Sequence, residues 1–213
     1  DVVVLEMGMS DFGEIDHLAG IVKPHIGVIT NIGVAHMESL GSREGIFRAK
    51  MEITKHIHGR DGQPGTLVYA GDSEFLTKER TAGAYHQISV GEKEENDYII
   101  SSVDDFGLDG IKFSLEHEGA ARQIQLPLPG RHNAVNSAIA VAIGDLLGVS
   151  EEEEARGLMA ADLTGNRLKK RENGGVCVID DTYNASPDSM KSPLRVLERS
   201  SCKGRRVAVL GDM

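Results

Sequence analysis

The sequence predicts an α/β fold with a mostly parallel sheet and flanking helices, and three observations support this prediction. Short aliphatic runs that suit strands buried on both faces alternate with segments of helical periodicity. Charged or amide side chains stand where predicted strands end or helices begin, the positions from which α/β proteins bind nucleotides and metal ions. Between residues 85 and 128, short alternating runs broken by Gly and Asp indicate an added subregion of antiparallel hairpins.

The first half of the chain contains three predicted strands and two predicted helices. The strands are the aliphatic runs Val2–Leu5, Ile26–Thr30 and Thr66–Asp72. One helix is predicted around Ile15–Val22 and a second from Ser42 to His58. Ser42 suits the N-cap of the second helix, and Gly45 is expected to be a weak point near its start.

The second half continues with helices that have recognisable ends. A long apolar helix is predicted from Asn133 to Leu147, and Gly148 ends it. Ser150 is expected to cap an acidic helix that begins with four consecutive glutamates, which suit the positive end of a helix.

A polar, basic and glycine-containing stretch at residues 163–175 indicates a hinge between domains. Two further buried-strand patterns, VCVID and RVAVLGD, flank a helix from about Pro187 to Arg199 and predict a βαβ unit. Ser186 is the expected N-cap of this helix, and Pro193 is expected to kink or shorten it.

Composition excludes several classes of protein. The formal net charge of −10 makes nucleic acid a poor partner, and no apolar run approaches the roughly 20 residues of a membrane span. No signal peptide opens the chain, so we expect a cytoplasmic protein. Cys177 and Cys202 are too few for a disulfide framework or a thiolate metal site. Because the chain starts and stops at strand-like runs, we expect it to be a piece of a longer polypeptide.

Three residues of the first half are candidate metal ligands. Glu6 and His36 follow predicted strands, on the side where α/β sheets bind ligands, and a carboxylate there suits Mg²⁺. A salt-bridged loop glutamate and a hydrogen-bonded structural histidine are the simpler alternatives. Lys50 shares a predicted apolar stripe with Ile46 and Ile53. An ammonium there is costly unless it is paired, neutralised or modified, or unless the side chain reaches the edge of the face.

Four residues of the second half are further candidates for the site. Asn133 and Asn136 lie one turn apart at the start of a predicted helix. Capping would explain Asn133, whereas Asn136 is predicted to face the same way as Ile143, where its amide needs a partner such as a base or ribose. In the hinge stretch, Arg167 could reach a phosphate or be simply solvated. Asp181 follows the predicted strand VCVID in the same way that Glu6 follows the first predicted strand, so the reasoning given for Glu6 applies to Asp181 as well.

The order and wording of these segments resemble the Mur ligase family, the ATP-dependent amino-acid ligases of bacterial peptidoglycan synthesis. The resemblance covers essentially all 213 residues and is carried by the segments GEI, AHMESLGS, AKMEI, GRHNAVN, GNRLK, DDTYNASPDSM and VLGDM. Within the family, DDTYNA favours the members that join D-alanyl-D-alanine to UDP-N-acetylmuramoyl-tripeptide. The resemblance implies that ATP phosphorylates the tripeptide carboxylate and that the dipeptide amine then attacks the acyl phosphate.

The resemblance also implies a domain organisation. Residues 1–164 would be the central ATP-binding domain without its opening strand and P-loop, and residues 165–213 the start of a Rossmann-like C-terminal domain. No G-x-x-x-x-G-K-[ST] segment occurs in the sequence, so we expect this chain alone to be inactive. The whole enzyme is expected to use ATP and two Mg²⁺ ions and to be a monomer.

Roles for individual residues follow from the same resemblance. Residues similar to the family's metal site are Glu6, His36 and Lys50, where Lys50 corresponds to a lysine that the family carbamylates to hold the second ion. Asn133 and Asn136 resemble residues that meet the adenine nucleotide. Arg167 and Asp181 resemble C-terminal residues that close on ATP, and the loop with Tyr183, Asn184 and Ser186 is expected to face the substrates.

Two other hypotheses remain open from the sequence. One is a relative that applies the same ATP chemistry to another acid and amine, such as another Mur ligase or a folylpolyglutamate synthetase-like ligase. The other is a non-catalytic binding module that has no P-loop. The amine that stimulates ATP hydrolysis distinguishes a relative with other substrates from the D-alanyl-D-alanine ligase. A coding sequence upstream without a P-loop would favour the non-catalytic binding module.

Overall fold

The computed structural model describes residues 2–162, 165–185 and 189–211. The chain forms two compact units, Asp1–Asp97 and Tyr98–Met213. Within the described residues, no helix has the length and apolar character needed to cross a membrane.

The first unit is built on a parallel sheet with strands in the order β1-β2-β3. In register, Ile26 pairs with Thr66, and Thr66 pairs with His86. The strands are β1 (Ile26–Ile29), β2 (Thr66–Ala70) and β3 (His86–Gly91). The helices are α1 (Glu14–Val22), α2 (Met37–Leu40) and α3 (Arg43–Met51), and a 3₁₀ segment (Glu52–His56) continues α3. The sheet and α3 share a core of nine buried residues: Ile29, Ile32, Leu40, Ile46, Phe47, Ala49, Leu67, Tyr69 and Leu76.

Capping explains where α3 begins. The Ser42 hydroxyl accepts a hydrogen bond of 3.1 Å from the Gly45 backbone N–H, which confirms the predicted N-cap. The α-helix ends at Met51 and tightens into the 3₁₀ segment, so the predicted helix to His58 was too long by a few residues.

The second unit opens with an antiparallel sheet of β4 (Tyr98–Asp105), β5 (Ile111–His117) and β6 (Ala120–Leu126). Glu118 and Gly119 connect β5 to β6, and both have positive φ (51° and 79°), the conformation of a tight hairpin turn. The antiparallel subregion predicted between residues 85 and 128 is therefore present. It begins at β4, because β3 pairs in parallel with β2.

Two helices follow, α4 (His132–Leu146) and α5 (Glu151–Met159), and α4 packs against β4 and β5. Both were predicted. Ser150 and Glu153 form a complete capping box at the start of α5, in which each side chain binds the other residue's backbone N–H.

The C-terminal part holds an antiparallel pair, β7 (Lys169–Asn173) and β8 (Val176–Asp180), and α6 (Lys191–Arg199). Part of the stretch predicted as a hinge, Lys169–Asn173, is thus a strand, because the Gly174–Gly175 turn folds it onto β8. Pro193 is the third residue of α6, where the N–H has no partner inside the helix, so the helix starts late and contains the proline. The predicted cap Ser186 and the predicted start Pro187 lie outside the described residues.

Two predicted strands are not formed. Val2–Leu5 and residues 206–211 have no regular structure, and Val4 and Val209 are 90% and 92% exposed. Strand β8 exists, but Val176 is 61% exposed, so the prediction of burial on both faces was wrong. Aliphatic residues favour a strand only where a neighbouring strand and a covering layer exist, and the described residues supply neither to these two segments.

Candidate functional site

The three predicted metal ligands all lie in the first unit. The side chains of Glu6 and His36 are exposed, and His36 has a left-handed backbone (φ 64°) immediately before α2. Lys50 is half-buried on α3. Across residues 2–162, 165–185 and 189–211, no three His, Cys, Asp or Glu side chains form a group that could hold a metal ion. The metal role of Glu6, His36 and Lys50 therefore stays a prediction, and any site there depends on what Lys50 contributes.

The environment of Lys50 shifts its equilibrium toward the neutral amine. Its Nζ donates a hydrogen bond of 2.6 Å to the backbone carbonyl of Asn31, in the loop after β1. The same helix buries Ile46 and Ala49. Burial lowers the pKa of the Lys50 amine. Lys50 is thus a better nucleophile at neutral pH than an exposed lysine, because a larger fraction of it is an uncharged amine.

Glu52 has a role that the sequence alone did not reveal. Its carboxylate is 9% exposed and accepts hydrogen bonds from the backbone N–H groups of Gly13 (2.9 and 3.0 Å) and Asp16 (3.2 Å). These groups belong to the first turn of α1, where the unpaired N–H groups of a helix attract an anion. Glu52 therefore joins the segment AKMEI to the segment GEI, two of the segments that carry the family resemblance.

An open cleft of about 360 Å³ lies beside α3 and contains none of the predicted site residues. Its cations are mostly engaged: Arg80 binds both oxygens of Glu44, and Lys55 binds Asp16. The lining consists of Phe12, Phe47, Arg48, Met51, Glu52, Thr54, Lys55 and Arg80. Although it is a cavity, it lacks the residues on which the predicted chemistry depends.

The two candidate asparagines start α4 in the second unit. Asn133 is buried, and its Nδ2 donates 2.8 Å to the carbonyl of Pro129. Arg131 occupies the N-cap position and its side chain makes no capping bond, so Asn133 closes the preceding turn instead of capping the helix.

The predicted direction of Asn136 was wrong. Asn136 is exposed, and its Nδ2 donates 3.3 Å to Asn133 Oδ1. The buried face of α4 is offset from the predicted stripe and consists of Asn133, Ala134, Ser137, Ala138, Ile139, Val141 and Ala142. Four of these residues are alanine or serine, so a stripe of large apolar residues could not mark this face. Asn136 can consequently reach a ligand at the surface.

Three of the predicted C-terminal residues come together around the start of β7 and the end of β8. Asp181 Oδ1 accepts a bond of 3.0 Å from the backbone N–H of Leu168, next to Arg167. The Arg167 guanidinium carbon lies 4.5 Å from the centroid of the Tyr183 ring. Tyr183 remains 62% exposed. A cation, a carboxylate and an aromatic ring are thus available side by side.

The other two residues of the predicted substrate loop contribute less. Asn184 is exposed, and its Oδ1 accepts a bond of 2.9 Å from the backbone N–H of the next residue. Ser186 lies outside the described residues. Both substrate roles therefore stay predictions.

His132, a residue to which the sequence reasoning gave no role, lies beside these groups. It is the first residue of α4, and its Nδ1 lies 2.9 Å from the Ser192 hydroxyl on α6. Desolvation by the surrounding protein lowers the pKa of His132, and the negative charge of Asp181 partly opposes this effect. A side chain at Gly130 would collide with the His132 ring, so glycine leaves the ring its space. The signal in the sequence was its position in GRHNAVN, between a glycine turn and Asn133.

The start of α4 and the ends of β7 and β8 carry groups that would suit an anionic nucleotide, and their role in binding one stays a prediction. The 15-residue helix presents its positive end, and Arg167 can neutralise phosphate charge. Asn136 and Asp181 offer an amide and a carboxylate for base or ribose groups.

Known proteins resemble the chain in sequence and in fold. The family model "Mur ligase middle domain" matches residues 1–144. UDP-N-acetylmuramoyl-tripeptide–D-alanyl-D-alanine ligase of Bacillus subtilis (strain 168) is 38% identical over 214 residues, which cover 100% of this chain and 45% of that protein. The chain therefore spans less than half the length of this relative.

Two solved structures extend the likeness to the fold. The structure of MurF from Acinetobacter baumannii has a TM-score of 0.83 and 35% identity, over 93% of this chain and 42% of that one. The structure of MurF ligase from Thermotoga maritima in complex with ADP has a TM-score of 0.78 and 29% identity, over 92% of this chain and 44% of that one. The α/β fold predicted from the sequence is confirmed by these likenesses.

Proposed function

The chain belongs to the Mur ligase family, and on this premise we propose that the whole protein is the ATP-dependent ligase that joins D-alanyl-D-alanine to UDP-N-acetylmuramoyl-tripeptide. The observation that carries the proposal is the 38% identity, over the full chain, to a relative named for this reaction. The fold likeness to two MurF structures supports it. We assign the enzyme to the cytoplasm, because UDP-linked precursors and ATP are available there. We also propose that it is a monomer.

The proposed reaction has two steps. The tripeptide carboxylate attacks the γ-phosphorus of ATP, so that an acyl phosphate forms and ADP leaves. The dipeptide amine then attacks the acyl carbon, phosphate leaves, and the amine loses a proton as the amide bond forms. Phosphoryl transfer of this kind requires positioned reactants and neutralised charge more than it requires covalent help from the protein.

The nucleotide is assigned to the start of α4 and the ends of β7 and β8. Arg167 neutralises phosphate charge, and Asp181 and Asn136 bind the nucleoside, while Asn133 holds the turn that orients α4. The ADP bound in the Thermotoga maritima structure supports a nucleotide ligand for this fold. We assign substrate binding to Tyr183, Asn184 and Ser186, and for Tyr183 the contact of its ring with Arg167 supports the assignment.

We assign the metal site to Glu6, His36 and a carbamylated Lys50. The uncharged Lys50 amine attacks carbon dioxide, an N–C bond forms, and one proton is released, so a cation becomes an anionic oxygen ligand. The lowered pKa of Lys50 supports this step, and carboxylate oxygens are the ligands that Mg²⁺ prefers. Two Mg²⁺ ions, when bound, supply positive charge to the phosphates.

We also retain the domain assignment of residues 1–164 to the central ATP-binding domain and 165–213 to the start of the C-terminal domain. The family match to residues 1–144 supports the first part. We expect the chain by itself to be inactive, because the phosphate-binding loop of the family is outside it.

The test is ADP release by the complete parent polypeptide with ATP, Mg²⁺ and UDP-N-acetylmuramoyl-tripeptide, in the presence and absence of D-alanyl-D-alanine. Release that depends on the dipeptide is the expected result. Release that depends on a different amine would assign the protein to a sibling ligase. Nucleotide binding without release under any substrate combination would make it a binding module.

The role of Lys50 is tested by Lys50→Ala in the same polypeptide. We expect turnover to be abolished and to return in part when a short carboxylate such as acetate is added, because it replaces the carbamate oxygens. Lys112→Ala, which removes an exposed lysine from β5, is the matched control and should leave turnover unchanged. Near-normal turnover of Lys50→Ala would remove Lys50 from the mechanism.

A further inference from the structure

Charged side chains from three elements of the second unit meet near the end of α4. Arg122 on β6 contacts Asp145 on α4, and its Nη1 lies 3.0 Å from Oε2 of Glu154 on α5. Glu151 Oε1, also on α5, lies 3.9 Å from the same nitrogen. One guanidinium therefore serves two carboxylates closely and a third more loosely, which leaves an excess of negative charge in the cluster.

Glu154 is the most buried acid of the cluster. Its side chain is 6% exposed, and its Oε1 has no hydrogen-bond partner among the described residues. A Cβ built on Gly144 would lie 2.2 Å from this oxygen, so the carboxyl packs directly against the backbone of α4. An unpaired carboxylate oxygen in such a place is costly while the group is charged, and much less costly when it is protonated.

Asp145 is better stabilised as an anion than Glu154. Its Oδ2 accepts a hydrogen bond of 2.9 Å from the hydroxyl of Tyr98 and a second from Arg122. Burial raises the pKa of Tyr98, so this hydroxyl remains a donor, and its ring stacks on His117 at a centroid distance of 3.8 Å. Of these two acids, Glu154 therefore has the weaker support for a negative charge.

We propose that Glu154 holds a proton on Oε1 more strongly than an exposed glutamate does, and that the packing of α5 against α4 and β6 is therefore sensitive to pH. The groups that face Glu154 set the direction of the effect. Asp145 and Glu151 oppose its negative charge, and Arg122 favours it. Burial comes first among the causes that raise the pKa of Glu154, followed by the charge of Asp145.

The sign of the pH dependence follows from a raised pKa in the folded state. The protonated Glu154 side chain contributes its full stabilisation of the fold below the pKa of about 4.3 that glutamate has in the unfolded chain. This contribution is lost as the pH rises through the higher pKa of Glu154 in the folded chain. The packing of α5 against α4 and β6 should therefore weaken as the pH rises above the unfolded pKa of about 4.3.

The test compares the chain with Glu154→Gln, in which an amide reproduces the uncharged group. Unfolding in urea is measured from pH 4.5 to 8, and the ratio of the unfolding constants, original over variant, should rise several-fold across this range. Glu152→Gln, which neutralises an acid on the same helix whose side chain is 85% exposed, is the matched control and should show no such rise. A ratio that stays flat for Glu154→Gln would overturn the proposal.

A second measurement does not depend on a variant that folds. Carbon-13 NMR titration of glutamate carboxyl groups in the unchanged chain should reveal one glutamate that titrates above the ordinary range, at Glu154. If the Glu154 carboxyl titrates in the ordinary range or below it, the proton is not held and the proposal fails, whatever reaction the whole protein catalyses.

Discussion

Adding one methyl group at Gly45 should disturb the helix that carries Lys50. Gly45 is buried in the first turn of α3, and a Cβ built there would lie 1.9 Å from the backbone oxygen of Leu40. Ordinary carbon–oxygen contacts in proteins are about 3.3 Å or longer, so the overlap exceeds an ångström. Because the obstacle is backbone, rotation of a side chain cannot relieve it. The connection between α2 and α3 must move instead.

The magnitude follows from two opposing effects. Alanine favours a helix over glycine by about 0.8–1.0 kcal/mol. Overpacking a close contact costs about 1–3 kcal/mol, and a backbone obstacle places Gly45→Ala near the upper end. We therefore expect a net loss of about 1–2 kcal/mol in the free energy of unfolding, a factor of about 5–30 in the unfolding constant.

Urea unfolding followed by circular dichroism measures this loss, provided that the slope with denaturant is unchanged. Gly157→Ala is the matched control. Gly157 lies within α5 and has no atom within 4 Å of a built Cβ, so alanine there should stabilise by up to about 1 kcal/mol. If Gly45→Ala were as stable as the original chain, or shifted the midpoint in the same direction as Gly157→Ala, the steric reasoning would be refuted.

Two further predictions concern stability. Ser150→Ala removes the capping box with Glu153 and should cost about 1 kcal/mol, which a urea midpoint will reveal; an unchanged midpoint would mean that the cap contributes nothing. Burial raises the pKa of Asp97, but hydrogen bonds from Ser89 and Lys78 outweigh it and leave that pKa below its ordinary value. The Asp97 carboxylate therefore contributes to the free energy of unfolding above the unfolded pKa of about 3.9. This contribution is lost as the pH falls through the lower pKa of Asp97 in the folded chain. The original chain should be more stable than Asp97→Asn at pH 7 and approach it below about pH 4, whereas parallel pH curves would contradict the assignment.

The sequence by itself determined most of the helices in the described part of the chain, several strands and the family. Ser42 and Ser150 marked the starts of α3 and α5, because a cap acts within three residues. The aliphatic runs at β1 and β2 were identified as strands, and Gly119 marked a hairpin. The segments that carry the resemblance predicted the fold that the MurF structures confirm.

Only the tertiary structure decided which groups are buried and which groups meet. The parallel direction of β3, the exposure of Val4 and the outward face of Asn136 depend on neighbours that are distant in sequence. The same holds for Glu52, which binds Gly13 across 39 residues. Local preferences act over a few residues, whereas the cost of a buried charge or an unpaired strand depends on what the rest of the chain places beside it.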